Sequence, residues 1–253
     1  MAAGPVFLIG GGWTDDAIPE TWGRFVDAVN ATGGSRIVLV LLDDEDTTAR
    51  DDYAGRFQAA LGAAGAPEVG VMHVSPERPL QEADLAGAAG IVIGGGLTPD
   101  YQKAIVSSAG KVIAGLVRQG MPYAGFSAGS AIAAESAIVG GWKLPADAAG
   151  RALPIGAEDV SEDEEELAVR YGIGLVPFAV DVHASQWGRL ARLIHAVRTG
   201  AVPEGWAIDE DTALEVSAGE VVAVHGLGSA YHVTPDGPGK VHVDVVIHGG
   251  KRS

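Results

Sequence analysis

The stretch Met121-Pro-Tyr-Ala-Gly-Phe-Ser127-Ala-Gly-Ser130 places a serine between two glycines, where a short apolar segment meets a run of small residues. We predict a strand over residues 123–126 and a helix over residues 128–135. Because glycine has no side chain, the flanking glycines let strand and helix approach closely around a strained serine backbone. The pattern predicts a nucleophile elbow, in which the hydroxyl of Ser127 projects from the edge of a sheet.

Upstream of this elbow, apolar segments alternate with helix-like segments. Residues 36–42 are apolar after the first position, which is typical of a strand covered on both faces. We predict strands at 6–11, 36–42, 69–74 and 90–93, and helices at 20–31, 48–64, 80–86 and 100–118. Alternation of this kind builds right-handed βαβ units, so the expected fold class is α/β, with a mostly parallel, doubly wound sheet and flanking helices.

The pattern loosens downstream of the elbow. We expect a loop at 140–159, a helix at 162–171, a strand at 175–182 and a helix at 185–198 that Ser185 caps. The C-terminal part is β-rich, with strands predicted at 206–208, 213–216, 221–225, 231–233 and 241–247. Since neither a linker nor a repeat divides the chain, we expect residues 1–253 to form a single domain.

Composition excludes several classes of protein. The net charge is −16 and the sequence pI is about 4.7, which argues against binding to nucleic acid. No apolar run approaches the roughly 18 residues that cross a membrane, and the N-terminal residues lack the basic start of a signal peptide. The chain has no cysteine, which excludes disulfides and thiolate metal sites and leaves serine or threonine as nucleophile. We expect a cytoplasmic protein without cofactor or metal.

A serine nucleophile needs a base, and the base needs an orienting carboxylate. Of the seven histidines, His183 follows the apolar segment 175–182 and precedes a helix. In a parallel sheet, groups at the carboxyl ends of strands meet at one edge, so its ring is expected beside Ser127. His183 is therefore the favoured base.

The carboxylate and the oxyanion hole are less sharply defined. Asp209, Glu210 and Asp211 end another apolar segment, and a period of two places Glu210 on the face opposite the two aspartates. Spacing alone does not choose among these three acids. The glycine loop 94–96 ends a further strand, and its bare backbone, together with the N–H of Ala128, can donate to an oxyanion.

Four motifs then occur in order along the chain. They are Gly94-Gly-Gly-Leu-Thr98, Gly125-Phe-Ser-Ala-Gly-Ser130, Gly174-Leu-Val-Pro with Asp181-Val-His and Gly188-Arg-Leu-Ala-Arg-Leu193, and Ile208-Asp-Glu-Asp-Thr-Ala-Leu214. Together they resemble the dipeptidase E and cyanophycinase family of serine peptidases over roughly residues 6 to 233. The resemblance implies a flavodoxin-like fold similar to class I glutamine amidotransferases, with serine in place of cysteine.

The same resemblance implies roles for individual residues. It implies a triad of Ser127, His183 and Glu210, and thereby selects Glu210 where spacing did not. It implies oxyanion donors at Gly95 or Gly96 and at Ala128. For substrate binding it points to Thr98, Arg189 and Arg192, the arginines recognising an acidic or carboxylate group; a plain surface position is the alternative for Arg192.

Some positions depart from the cyanophycinase pattern. Val182 replaces an expected glutamine, Trp187 an expected arginine, and Thr98 the glutamine of the glycine loop. These changes remove polar contacts that a β-aspartyl-arginine polymer would use. They favour another peptide specificity within the same family.

The leading hypothesis is a serine peptidase that hydrolyses small peptides, as an exopeptidase or a dipeptidase E-like enzyme, with preference for an acidic or carboxylate group. A cyanophycinase-like β-aspartyl hydrolase is one alternative. An α/β-hydrolase esterase, with triad order Ser, acid, His and a late base at His225 or His248, is another. A non-enzymatic peptide-binding module is the third. The expected partner is a small peptide, without nucleic acid or membrane, and the chain is expected to be a monomer or homodimer.

Overall fold

The computed structural model describes residues 2–146 and 148–249; the single-domain prediction also includes residues 1, 147 and 250–253, which lie outside the described residues. The strands in chain order are β1 (Val6–Ile9), β2 (Arg36–Leu42), β3 (Glu68–Val74), β4 (Gly90–Ile93), β5 (Tyr123–Phe126), β6 (Ser136–Gly140), β7 (Ala168–Tyr171), β8 (Ala179–Val182), β9 (Gly205–Ile208), β10 (Thr212–Ser217), β11 (Glu220–Gly226), β12 (Ser229–Pro235) and β13 (Val241–Ile247). The α-helices are α1 (Trp22–Ala31), α2 (Thr47–Ala63), α3 (Thr98–Tyr101), α4 (Gly110–Arg118), α5 (Ala128–Ala133) and α6 (Leu190–Thr199).

The main sheet has seven strands in the order β11-β10-β1-β5-β4-β2-β3. Its five strands from β1 to β3 are parallel, whereas β10 is antiparallel to β1 and β11 is antiparallel to β10. Ile9 at the end of β1 pairs with Phe126 at the end of β5, so both strands finish at one edge of the sheet. The predicted α/β class with a mostly parallel sheet is confirmed.

The apolar strands are explained by cover on both faces. On β1, Leu8 belongs to an apolar cluster with Ile113 of α4, whereas Phe7 belongs to a second cluster with Phe25 of α1. Alternate residues thus enter opposite cores, which requires an uninterrupted apolar strand. Complete burial of a side chain such as Phe25 contributes about 1.5–3 kcal/mol to folding.

A second sheet has the order β13-β12-β9-β8, with β8 parallel to β9. Helix α6 packs on it through Leu193 and Val197. Its other side shares a core with the main sheet, because Val180 and Ile208 belong to the same apolar cluster as Leu8. This shared core supports the expectation of one domain. No helix among the described residues is long and apolar enough to cross a membrane.

The predicted helix at 162–171 is wrong. Its second half is strand β7, which pairs antiparallel with β6 across Ile138 and Val169. Leu167 and Val169 alternate on one face and pack against the cluster beneath α6, which is a strand period. The prediction began the helix at Glu162, in the acidic run Glu162-Asp-Glu-Glu-Glu166, but Glu162 has φ 60° and does not begin a helix.

Two other helices begin or end differently from the prediction. The segment 100–118 is divided into α3, a π-helical turn at Gln102–Val106 and α4. Ser185 does not cap α6, because this helix begins only at Leu190, after a turn. The N–H of Ser185 donates instead to Asp209 Oδ1 at 2.9 Å. Arg189 therefore lies at the N-cap position of α6 rather than inside the helix.

Candidate active site

The elbow at the end of β5 holds Ser127 in a strained conformation. Its backbone has φ 52° and ψ −112°, outside the regions that residues with a side chain ordinarily occupy. The N–H of Ser127 donates to Ile9 O at 2.9 Å, which fixes the turn against β1. A Cβ at Gly129 would lie 2.1 Å from Ile93 O, so only glycine allows α5 to start so close to β4.

Two hydrogen bonds connect Ser127 with a histidine and an acid. Ser127 Oγ lies 2.8 Å from His183 Nε2, and His183 Nδ1 lies 2.7 Å from Glu210 Oε1. The three residues come from different elements: Ser127 follows β5, His183 follows β8, and Glu210 lies just after β9. Because β8 and β9 are parallel neighbours, their ends bring His183 and Glu210 together. The N–H of Glu210 donates to Gln186 Oε1 at 3.0 Å.

The two neighbouring aspartates have other partners. Asp209 accepts hydrogen bonds from the backbone N–H groups of Ser185 and Ser229. Asp211 accepts from both the N–H and the hydroxyl of Thr14, at 3.0 and 2.6 Å. Of the three candidate acids, the structure therefore brings Glu210 to the histidine.

Burial and positive charge keep His183 neutral. Burial and then the charge of Arg189 lower the pKa of His183 to about 3, with Asp181 opposing and Arg192 adding to the decrease. Burial, followed by the charges of Asp211 and Asp209, raises the pKa of Glu210. With Nδ1–H donated to Glu210, a neutral His183 has a free lone pair on Nε2 that can accept the proton of the serine hydroxyl.

The predicted oxyanion donors surround Ser127. Ala128 begins α5, so its N–H lies at the positive end of that short helix. A Cβ placed on Gly95 would lie 3.1 Å from Ser127 Cβ, which shows how closely the glycine loop approaches the serine. The N–H of Gly129 donates to Gly94 O at 3.0 Å and ties the loop to α5.

Ser127, His183 and Glu210 lie in a pocket of about 720 Å³. Its walls are the glycine loop, Trp13, Trp187, Arg189 and an acidic loop, defined here as residues 158–163. Of the three predicted substrate-binding residues, Arg189 lines this pocket, whereas Thr98 and Arg192 are not part of its lining.

Arg192 and Thr98 are instead held by other residues of the protein. Arg192 is 3% exposed and makes a bidentate pair with Asp181, from Nε to Oδ2 at 2.8 Å and from Nη2 to Oδ1 at 2.7 Å. The N–H of Thr98 donates to Glu162 Oε2 at 2.8 Å. Both residues thus lie behind the pocket wall.

Sequence reasoning missed three features of this site. Trp187 stacks on the ring of His183, with centroids 3.8 Å apart and planes 7° from parallel. The acidic loop forms a wall, whereas the sequence predicted there only the end of a loop at 159 and the start of a helix at 162. Gly11 makes room for the ring of His183, since a Cβ there would lie 2.2 Å from His183 Cε1. The glycine triplet 10–12 was the available signal for the last feature.

A separate group among the described residues could hold a metal ion. One ligand atom from each of Glu20, His225 and His248 lies within 4.8 Å of the other two. Glu20 is already paired with Arg24 at 3.2 Å, and His225 Nε2 lies 2.8 Å from Glu215. These residues do not line the pocket of Ser127. The expectation that the reaction needs no metal stays a prediction.

A serine, a neutral histidine and a carboxylate in one pocket, on an α/β sheet, define the class of serine-type hydrolases. The family model described as "Peptidase family S51" matches residues 43–224. The chain belongs to this family, that of dipeptidase E and cyanophycinase, and is a serine-type peptidase of the dipeptidase E type. Family membership favours the peptidase hypothesis over the α/β-hydrolase esterase.

Two solved structures are similar to this fold. A peptidase from an acI-B1 Actinobacterium has a TM-score of 0.69 at 15% identity, over 98% of this chain and 96% of that one. A putative peptidase E from Listeria monocytogenes EGD-e has a TM-score of 0.57 at 15% identity, over 90% of this chain and all of that one. At such low identity the similarity concerns the fold.

Proposed function

We propose that the protein is an exopeptidase or dipeptidase that cleaves small peptides through a Ser127–His183–Glu210 triad and an acyl-enzyme. The observation that carries the proposal is the unbroken pair of hydrogen bonds, 2.8 and 2.7 Å long, from Ser127 Oγ through His183 to Glu210. This order of nucleophile, base and carboxylate is what acyl transfer requires.

In the proposed reaction, Ser127 Oγ attacks the scissile carbonyl while His183 Nε2 takes its proton. Glu210 holds the imidazole tautomer and stabilises the imidazolium that forms. The N–H groups of Ala128 and of the glycine loop, at Gly95 or Gly96, bind the oxyanion. His183 then protonates the leaving amine, and a water molecule that it activates hydrolyses the acyl-enzyme.

The pocket supports a preference for small peptides. A volume of about 720 Å³ lies in the range of roughly 300–1,000 Å³ that small-molecule sites occupy. Trp13, Trp187 and the acidic loop surround it, so a long chain meets a wall on several sides. Arg189 is the residue to which we assign preference for an acidic group, while Arg192 and Thr98 support the wall behind it.

The proposal includes a cytoplasmic location and a monomeric or homodimeric state. The lack of cysteine and the absence of a membrane-spanning helix among the described residues fit this location. Size-exclusion chromatography with light scattering measures the state, and a mass above that of a dimer would contradict it.

The first experiment follows cleavage by mass spectrometry. Wild-type protein and the Ser127→Ala variant are incubated with dipeptides and longer peptides that carry acidic or neutral residues at either end. We expect cleavage of short peptides by the wild type and a loss of about 10³-fold or more in the variant. Equal cleavage by both proteins, or by neither, would overturn the proposal.

A matched control uses the other serine of the elbow. Ser130 is buried and donates to Ile9 O and Gly125 O, at 2.9 and 2.7 Å, so its hydroxyl does not enter the pocket. A fluorophosphonate probe should therefore label wild type and Ser130→Ala but not Ser127→Ala. Labelling that survives in Ser127→Ala would show that another residue is the nucleophile.

A further inference from the structure

A carboxylate of the protein itself lies in the pocket wall beside the proposed triad. The acidic loop contributes Glu158, Asp159, Glu162 and Asp163 to the wall, and Arg189 is the cation that faces them there. The Glu162 side chain is only 8% exposed, so it points into the wall rather than into solvent. Such a buried carboxylate needs specific partners, because burial of an unpaired charge is costly.

Those partners are well defined. Glu162 Oε1 accepts from Arg189 Nη1 at 2.5 Å, and Oε2 accepts from the N–H of Thr98 at 2.8 Å. Arg189 Nη2 donates to Val160 O at 3.0 Å. The guanidinium thus has a carboxylate-binding site that Glu162 already fills.

The same guanidinium lies close to the reacting groups. It lies over the ring of Trp187, 4.7 Å from the centroid, and Trp187 stacks on His183. Among the residues that the structure describes, Arg189 Nε is buried and has no hydrogen-bond partner. The buried Nε–H is a donor that Glu162 and Val160 leave unused, so the guanidinium can donate to a carboxylate in a second geometry once Glu162 moves away.

The backbone around Glu162 is strained. Glu162 and Asp163 have φ of 60° and 61°, two successive left-handed residues that both carry side chains. Such residues persist only where surrounding contacts hold them. The contacts of Glu162 with Arg189 and Thr98 supply that hold, so the acidic loop gains backbone freedom when the carboxylate leaves.

We propose that Glu162 is an internal competitor for the carboxylate site of Arg189, and that it thereby sets the substrate specificity of the peptidase. A substrate with an acidic group must displace Glu162 before Arg189 can bind it, whereas a neutral substrate need not. The wild-type enzyme therefore discriminates weakly in favour of acidic substrates. This inference rests on the proposed function, since it concerns the same pocket.

The test measures binding without turnover. Calorimetric titration of the N-acetyl amides of L-aspartate and L-asparagine into wild type and Glu162→Gln compares ligands of equal shape, of which only the aspartate derivative carries a carboxylate. Glutamine keeps the size of Glu162 but removes the competing charge, so we expect the variant to bind the aspartate derivative about tenfold more tightly, with little change for the asparagine derivative.

Glu158→Gln is the matched control. It removes the same charge from the same wall, but the contacts of Arg189 are with Glu162 and Val160. We expect its aspartate affinity to rise by less than about threefold, from the general change in charge. Adding Arg189→Gln to Glu162→Gln should abolish the gain.

Weaker aspartate binding by Glu162→Gln, or an equal gain in Glu158→Gln, would overturn the inference. If Glu162→Gln does not fold, Glu162→Asp serves instead. Its shorter side chain retracts the carboxylate from Arg189 and should also tighten aspartate binding, by a smaller factor. Unchanged or weaker binding there counts against the inference.

A kinetic measurement separates this inference from the proposed function. In Glu162→Gln, KM should fall for a dipeptide with an acidic residue and stay constant for its neutral amide, and fluorophosphonate labelling reports separately whether Ser127 is reactive. A protein that neither cleaves nor labels but gains aspartate affinity would refute the peptidase proposal and keep the competition between Glu162 and a ligand for Arg189. If the wild-type protein cleaves peptides but Glu162→Gln gains no aspartate affinity, the inference is refuted and the peptidase proposal stands.

Discussion

Ser127 and His183 both have φ of 52°, a left-handed conformation that costs about 1–3 kcal/mol for a residue with a side chain. Each is held by the end of β1. Ser127 N–H donates to Ile9 O at 2.9 Å, and His183 N–H donates to Gly10 O at 3.1 Å. Two adjacent carbonyls, at the last residue of β1 and just after it, thus set the separation between Ser127 and His183, and Gly11 leaves the space that the imidazole fills.

At the scale of single residues, burial of His183 and then the charge of Arg189 should set the pH dependence of Ser127 labelling. Burial and then Arg189 lower the pKa of His183 to about 3, so His183 stays a neutral base well below the ordinary histidine value of 6.5. We expect the rate of fluorophosphonate labelling to persist below pH 6.5 and to fall only in more acidic solution, where His183 and Glu210 titrate as a pair.

In Arg189→Gln, the second cause of the lowered pKa, after burial, is removed. The pKa of His183 therefore rises, and the pH below which labelling is lost moves to a higher value. Arg198→Gln, inside α6, is the control and should leave the pH at which labelling falls unchanged. Two results would contradict this account. One is a wild-type labelling rate that falls at pH 6.5, and the other is a labelling rate that falls at the same pH in Arg189→Gln as in the wild type.

At the scale of elements, the pair between Arg192 and Asp181 joins α6 to β8. Asp181 is 1% exposed, and Arg192 supplies two hydrogen bonds to it. Arg192→Ala should lower the free energy of unfolding by about 3–5 kcal/mol, because it leaves a buried charge without a partner. Urea unfolding followed by circular dichroism measures the change.

The control for this prediction is Arg24→Ala. Arg24 pairs with Glu20 at the surface, where both side chains are more than a third exposed, so its loss should cost about 0–1 kcal/mol. A loss below about 1 kcal/mol for Arg192→Ala would show that Arg192 is not a structural residue.

The bounds predicted for four strands, β2, β4, β5 and β13, match the structure. Three of them, β2, β4 and β5, are apolar apart from Arg36 at the start of β2, and a strand covered on both faces ends where its apolar run ends. Strand β7 was missed because its pairing with β6 is a long-range contact that overrides the local acidic run. The interruption of 100–118 was missed although Ser107, Ser108 and Gly110 weaken a helix there.

The residues of the candidate site also differ in how far the sequence predicts them. Ser127 and His183 follow strand ends, which the length and composition of the apolar segments before them reveal. Glu210 came from the family resemblance, since three adjacent acids look alike in composition and differ only in which partners the fold offers them. The contact between Glu162 and Arg189 joins a loop to the start of α6 across 27 positions, and local sequence carries no signal for it.

At the scale of the whole molecule, the proposed site lies where two sheets meet. Ser127 belongs to the main sheet, whereas His183 and Glu210 follow neighbouring strands of the second sheet. One apolar cluster holds the sheets together, with Leu8 and Ile93 from the first and Val180 and Trp206 from the second. The hydrogen bond between Ser127 and His183 therefore exists only while the sheets remain docked.

This arrangement predicts that catalytic competence and global structure are lost together. In a urea titration, Ser127 labelling and far-UV circular dichroism should fall at the same midpoint, because sheets that share a core unfold as one cooperative unit. Trp206→Phe removes volume from that core, so it should lower both midpoints equally. Labelling lost at lower urea than the dichroism signal would mean that the second sheet separates first, as an independent domain.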